Sequence, residues 1–158
     1  MKKLMMVLLS LVVGCSPQGE PPLTDAERGA IEDTIMALWD QTLSGIEEVD
    51  AAKAYSLFSE KPDAWYIRDG HLYPSIETAK REYSEGFKAL SRQEREVDTL
   101  AVTVLSRSAA SLFSMGRFYA TDTAGVTYPP LELSWSVVWR LEEEGWRIAN
   151  MHISFPPR

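Results

Sequence analysis

The sequence is poor in the residues that carry most metal and redox chemistry. It has one cysteine, Cys15, and two histidines, His71 and His152, in 158 residues. A single cysteine excludes an internal disulfide and any multi-cysteine zinc site. The two histidines lie far apart and form no HExxH-type pair, so no metal site is expected. Positive charge is also scarce: 16 Lys and Arg stand against 23 Asp and Glu, a formal net charge of −7. That balance argues against a nucleic-acid partner, because phosphate binding needs a basic surface. A P-loop, a GxGxxG and a GxSxG are all missing, and no cofactor is expected. What is present is an ordinary globular composition, with enough chain for one domain and a real core.

The N-terminus is the most specific stretch. Met1-Lys2-Lys3 is basic, and in the apolar run from Leu4 to Val13 only Ser10 is polar. This pattern reads as a secretory signal. It is too short for a bilayer-spanning helix, which needs about 20 apolar residues. The run stops at Val12-Val13-Gly14-Cys15, which resembles the lipobox of bacterial lipoproteins. The resemblance implies cleavage before Cys15, a diacylglyceryl group on its sulfur, and a lipid anchor in the bacterial cell envelope. Ser16, where Asp would mark retention, implies the outer membrane, facing the periplasm. Each buried methylene contributes about 0.8 kcal/mol, so two or more chains hold stably where one does not. Residues 1–14 are therefore the expected signal peptide, and the Pro- and Gly-containing residues 15–23 a flexible tether. Residues 24–158 are the expected domain, and every aromatic residue lies from Trp39 onward.

Thr24-Asp25-Ala26-Glu27 reads as a capping box. Ile31, Ile35, Leu38, Thr42 and Ile46 then recur at helical spacing. A second, shorter helix starts near Asp50, with Ala51, Tyr55 and Phe58 on one side, and ends at Lys61-Pro62. Ala64–Arg68, Asp69-Gly70 and His71–Tyr73 read as a small hairpin. Pro74-Ser75 opens a third helix, with Ile76, Ala79, Tyr83, Phe87 and Leu90 on one face. From Arg92 the period becomes strand-like, giving four long strands near 97–105, 110–121, 131–141 and 146–155. Helices gathered before a run of strands imply an α+β domain with helices on one sheet face.

Ser134-Trp135-Ser136-Val137-Val138-Trp139-Arg140, an acidic turn, Gly145-Trp146-Arg147-Ile148 and Asn150-Met151-His152-Ile153-Ser154 resemble the last two strands of the nuclear-transport-factor-2-like (SnoaL-like, cystatin-like) superfamily. That family carries a VWR…GWRI stretch followed by H-x-H-x-S; here Asn150 stands at the first histidine position. The resemblance implies a cone-shaped roll, three N-terminal helices packed in a strongly curved antiparallel sheet. It also implies a pocket inside the cone and a homodimer through the outer sheet face. Strict alternation along the last strand puts Trp146, Ile148, Asn150, His152 and Ser154 on one face, inward by resemblance. Trp135, Val137 and Trp139 would point inward with them. On the preceding strand Phe113, Met115, Arg117 and Tyr119 share a face.

These residues set the functional expectations. Phe113, Met115, Arg117, Tyr119, Trp135, Asn150 and His152 are the candidate ligand-binding set. Arg117 would clamp a carboxylate, or else reach the cone mouth or pair with Asp40 or Asp63. His152 is either an acid/base or a histidine bonded to Asn150, Ser154 or a backbone carbonyl. The fold's ketosteroid isomerisation needs a Tyr, a protonated Asp and an Asp base. The corresponding positions fall near Leu38 or Trp39, Val137 and Arg68, and none matches, so this chemistry is not expected. The sequence therefore points to a membrane-anchored domain that binds a small, partly apolar, carboxylated molecule without chemistry. Two alternatives stand beside it: an isomerase or dehydratase using His152, and a dimerising module whose cone is filled by Trp.

Overall fold

A computed structural model describes residues 21–155. The expected signal peptide and the expected lipidation site Cys15 lie outside the described residues.

Helix α1 spans Asp25–Glu47. Its capping box is formed: the Thr24 backbone N–H donates to Glu27 Oε2 at 2.8 Å, and Glu27 N–H to Thr24 Oγ1 at 3.2 Å. Such a cap contributes about 1 kcal/mol. Helix α2 is a single turn, Ala51–Ala54, capped by Asp50. It lies so close to α1 that a Cβ at Gly45 would collide with the Ala54 backbone. Tyr55 and Phe58 follow it outside the helix, both buried. Strands β1 (Trp65–Arg68) and β2 (His71–Tyr73) form the expected hairpin around Asp69-Gly70, both at positive φ. Helix α3 runs Ile76–Phe87, followed by β3 (Leu90–Ser106), β4 (Ala109–Asp122), β5 (Leu131–Glu142) and β6 (Gly145–Ser154).

The six strands form one sheet in the order β2-β1-β6-β5-β4-β3. All pairs are antiparallel except β1 with β6, which run parallel from Trp65↔Asn150 to Arg68↔Ile153. The hairpin is thereby sewn onto the sheet, and β1 sits at the opposite flank from β3. Strand β3 begins at Leu90, seven residues before the apolar stretch that marks it in the sequence. Its first half, Ser91-Arg92-Gln93-Glu94-Arg95-Glu96, is polar because it lies on a sheet edge open to water. Three register shifts along β3 bend the sheet over α1. Opposite the first half of β3 only glycine fits: a Cβ at Gly116 would strike the Glu96 carbonyl oxygen.

A further bulge decides which side chains face inward. Val138 pairs with Asn150 but Trp139 pairs with Ile148, so Ala149 is an extra residue in β6. Ile148 and Ala149 are both buried, and the alternation then restarts in the opposite phase, with Met151 and Ile153 inside. On β4 the inward residues are Ala110, Leu112, Ser114, Gly116 and Phe118. Trp135, Val137 and Trp139 of β5 face inward as expected. The core they build with α1 is anchored by Trp39 and Trp139, both fully buried.

At the narrow end of the sheet, Arg107 in the β3–β4 turn donates to Pro21 O at 2.7 Å and to Glu27 at 3.1 Å. The last residues of the expected tether, Pro21 and Pro22, are therefore docked against the domain. Among the described residues no helix is long and apolar enough to cross a membrane.

Candidate functional site

A cavity of about 120 Å³ opens at the wide end of the domain, between the helices and the concave sheet face. Trp39, Thr42 and Ile46 line it from α1, Tyr83 and Phe87 from α3, and Tyr66 and Arg68 from β1. Gln93, Phe118, Leu133, Trp135, Met151 and Ile153 supply the sheet side. Ala54, Tyr55, Phe58, Leu131 and Phe155 complete the wall. Among the described residues the lining contains no Asp, Glu, His, Lys or Cys. A neighbouring groove of about 480 Å³ shares Gln93, Phe118 and Leu131 with it and continues along Tyr128-Pro129-Pro130.

Among the described residues Arg68 is the one charged group of the cavity wall. Its guanidinium carbon lies 5.2 Å from the Tyr83 ring centroid and 5.0 Å from that of Phe155. The two aromatic faces stabilise the cation without neutralising it. Phe155 is held there because its N–H donates to Asp69 Oδ1 at 2.9 Å. Among the described residues no carboxylate lies within ion-pair distance of Arg68. Among the described residues Arg28, Arg81 and Arg147 also lack an acid at that distance, but of the four only Arg68 lines the cavity.

Three phenols sit beside it. The Tyr66 and Tyr83 hydroxyls are 2.7 Å apart. One hydrogen bond uses one of their two protons, so the other is left to seek an acceptor. Burial holds the Tyr66 hydroxyl far above its ordinary pKa, with Tyr83 beside it adding to the effect. Burial raises Tyr83 as well, although Arg68 and the bond from Tyr66 pull the other way. Tyr55 is also pushed well up by burial. All three are therefore neutral donors near neutral pH, and none is a base. With no carboxylate or imidazole in the wall, the cavity's own side chains offer donors and a cation but no general base.

Of the candidate binding residues, only Trp135 lines this cavity. Phe113 and Met115 face outward and are 39% and 46% exposed. Arg117 and Tyr119 share that outer face because β4 alternates in the opposite phase from the one expected. Arg117 is neutralised there by Glu96 at 3.0 Å and Asp98 at 3.6 Å, and Tyr119 donates to Glu96 at 3.1 Å. Neither Asp40 nor Asp63 is its partner: they pair with Arg95 and Arg140. The Ala149 bulge carries Asn150 and His152 to the outer face. There Asn150 pairs in register with Trp65, and His152 with Ile67 and Ser136. His152 is exposed and cannot act on a molecule in the cavity. Tyr55, Tyr83 and Gln93 were not among the expected site residues. Tyr66 and Arg68 could have been found from the alternation of Trp65-Tyr66-Ile67-Arg68, which places both on one face.

No protein-family model and no curated protein sequence matches the chain. Solved structures do. A superfamily protein from Salmonella enterica serovar Typhimurium superposes with a TM-score of 0.72 at 22% identity, over 82% of this chain and 94% of that one. This is a nuclear-transport-factor-2-like fold. A candidate dehydratase of the same fold from Streptomyces avermitilis gives a TM-score of 0.71 at 13% identity, covering 82% of this chain and 99% of its own. A candidate scytalone dehydratase from Novosphingobium aromaticivorans gives 0.68 at 12%, covering 82% and 87%. At these identities the likeness fixes the nuclear-transport-factor-2-like fold and its α+β architecture; function has to be argued from the site.

Proposed function

We propose that this domain binds a small, partly apolar carboxylate in its cavity, without transforming it. The observation that carries this is Arg68: a cation at an aromatic cavity, flanked by a spare phenol proton, with no acid of its own. The arrangement offers a carboxylate charge-assisted hydrogen bonds at one end and an apolar slot at the other. Arg68 also stands near the position where the fold's isomerases would place a base, and a guanidinium cannot take up that proton. The enzyme alternative draws on the dehydratase names among the structural neighbours, and would need a base that the cavity wall does not hold.

The test is calorimetric titration with benzoate, followed by the same titration of Arg68→Leu. Losing charge-assisted hydrogen bonds of about 1.5–3 kcal/mol predicts roughly 10- to 100-fold weaker binding. Equal affinity in both proteins would remove the carboxylate site.

Two further elements of the proposal concern setting. Membrane attachment through lipidated Cys15, toward the periplasm at the outer membrane, is proposed from the N-terminal sequence alone. Mass measurement of membrane-extracted protein tests it, and an unmodified N-terminus would end it. A second copy on the outer sheet face is proposed from Phe113, Met115 and Val138, all exposed there among small Ser134 and Ser136. Native mass spectrometry should then show a dimer that Phe113→Lys dissociates; wild-type monomer at micromolar concentration would contradict it.

A further inference from the structure

The cavity's polar groups are not distributed evenly. Its donors, Arg68 and the Tyr66–Tyr83 pair, come from β1 and α3 at one flank of the sheet. At the other flank, on β3 and the facing part of α1, stand Gln93 and Thr42. Gln93 Nε2 donates one proton to the Ile46 carbonyl at 3.1 Å, which leaves its second N–H and its Oε1 for a ligand. Thr42 Oγ1 gives its proton to the Leu38 carbonyl at 3.2 Å and keeps only lone pairs.

A group meeting that second flank can therefore accept from the free Gln93 N–H and donate to Gln93 Oε1 or Thr42 Oγ1. A hydroxyl does both; a hydrogen, an ether or a charged amine does not. The cavity alone, at about 120 Å³, is below the roughly 150 Å³ that takes up benzene, and the adjoining groove that shares Gln93, Phe118 and Leu131 supplies the further room a substituted ring needs. Resting on the carboxylate site proposed above, we infer that the ligand is a hydroxylated aromatic monocarboxylate. Its carboxylate meets Arg68 and its hydroxyl meets Gln93 and Thr42. Gln93 is then the residue that sets specificity at the second flank.

The inference is tested by titrating the wild-type protein with benzoate, 3- and 4-hydroxybenzoate and the corresponding methoxybenzoates. The better hydroxybenzoate should bind roughly threefold to tenfold more tightly than benzoate, and the methoxy compounds no better than benzoate. Gln93→Met should bring the hydroxybenzoate-to-benzoate ratio down toward one. If benzoate binds in an Arg68-dependent way but neither hydroxy isomer gains, the inference fails and the carboxylate site stands. If the gain survives in Gln93→Met, Gln93 is not the specificity residue. If none of the acids binds, both the site and the inference fail. The wild-type series keeps the test decisive even where Gln93→Met folds poorly.

Discussion

The two faces of the sheet carry two arginines in opposite circumstances. On the outer face Arg117 is held between Glu96 and Asp98, with water around all three. On the inner face Arg68 lies between two aromatic rings with no acid in reach. An exposed, paired arginine contributes little beyond solubility. A half-buried one that meets a phenol and two rings but no acid keeps its charge un-neutralised. Charge type alone does not distinguish the two; pairing and burial do. Arg140, which joins Asp63 at 2.6 Å and Glu142 at 2.9 Å, belongs with Arg117 as a structural cation.

The largest expected difference between the faces is in stability. Trp139→Ala, at a fully buried position, should cost about 3–5 kcal/mol in urea unfolding. Phe113→Ala on the outer face should cost less than about 1 kcal/mol at protein concentrations low enough for the monomer, and more as concentration rises and the proposed dimer forms. A loss comparable to that of Trp139→Ala at low concentration would contradict the outward placement of Phe113.

Binding should separate the faces next. Arg68→Leu should weaken benzoate by the 10- to 100-fold given above, while Arg117→Leu should stay within about twofold. Tyr83→Phe removes one hydroxyl from the donor pair and should weaken benzoate roughly threefold to tenfold.

The smallest effect concerns the ion-pair cluster at the narrow end. Burial disfavours the Glu142 carboxylate, but bonds from Ser59 and Arg140 and the charge of Lys61 outweigh it and hold its pKa below the ordinary value. Asp63 is lowered by its bond to Arg140. Lowered folded-state values mean a stabilisation fully present above the ordinary carboxylate pKa of about 4, and lost as pH falls through the folded values. The urea midpoint should therefore be level from pH 7 to 5 and drop below pH 4. Glu142→Gln should make that acid limb shallower; an unchanged limb would remove the cluster from the account.

Much of the fold was legible in the sequence, because its signals are local. The Thr24 capping box, the Asp69-Gly70 turn and the alternation of Trp135, Val137 and Trp139 each depend on a few neighbouring residues. The parallel pairing of β1 with β6 was not legible, since no local pattern encodes a contact between Trp65 and Asn150. The site was lost for a smaller reason. One inserted residue, Ala149, reverses every later side chain of β6, and strict alternation cannot register it. Counting from the wrong side of the bulge placed His152 inside and Met151 outside. On β4 both candidate faces carry large apolar residues, Phe113 and Met115 against Leu112 and Phe118. Only the burial of Ser114 and Gly116, which look like surface residues in sequence, settles the choice.

The most direct test compares benzoate with benzamide, which matches its shape but carries no charge, on wild-type protein and Arg68→Leu. An unneutralised Arg68 predicts that wild type prefers benzoate at least tenfold and that the preference disappears in the variant. Equal binding of the two compounds to the wild type, or a preference that survives Arg68→Leu, would contradict the account.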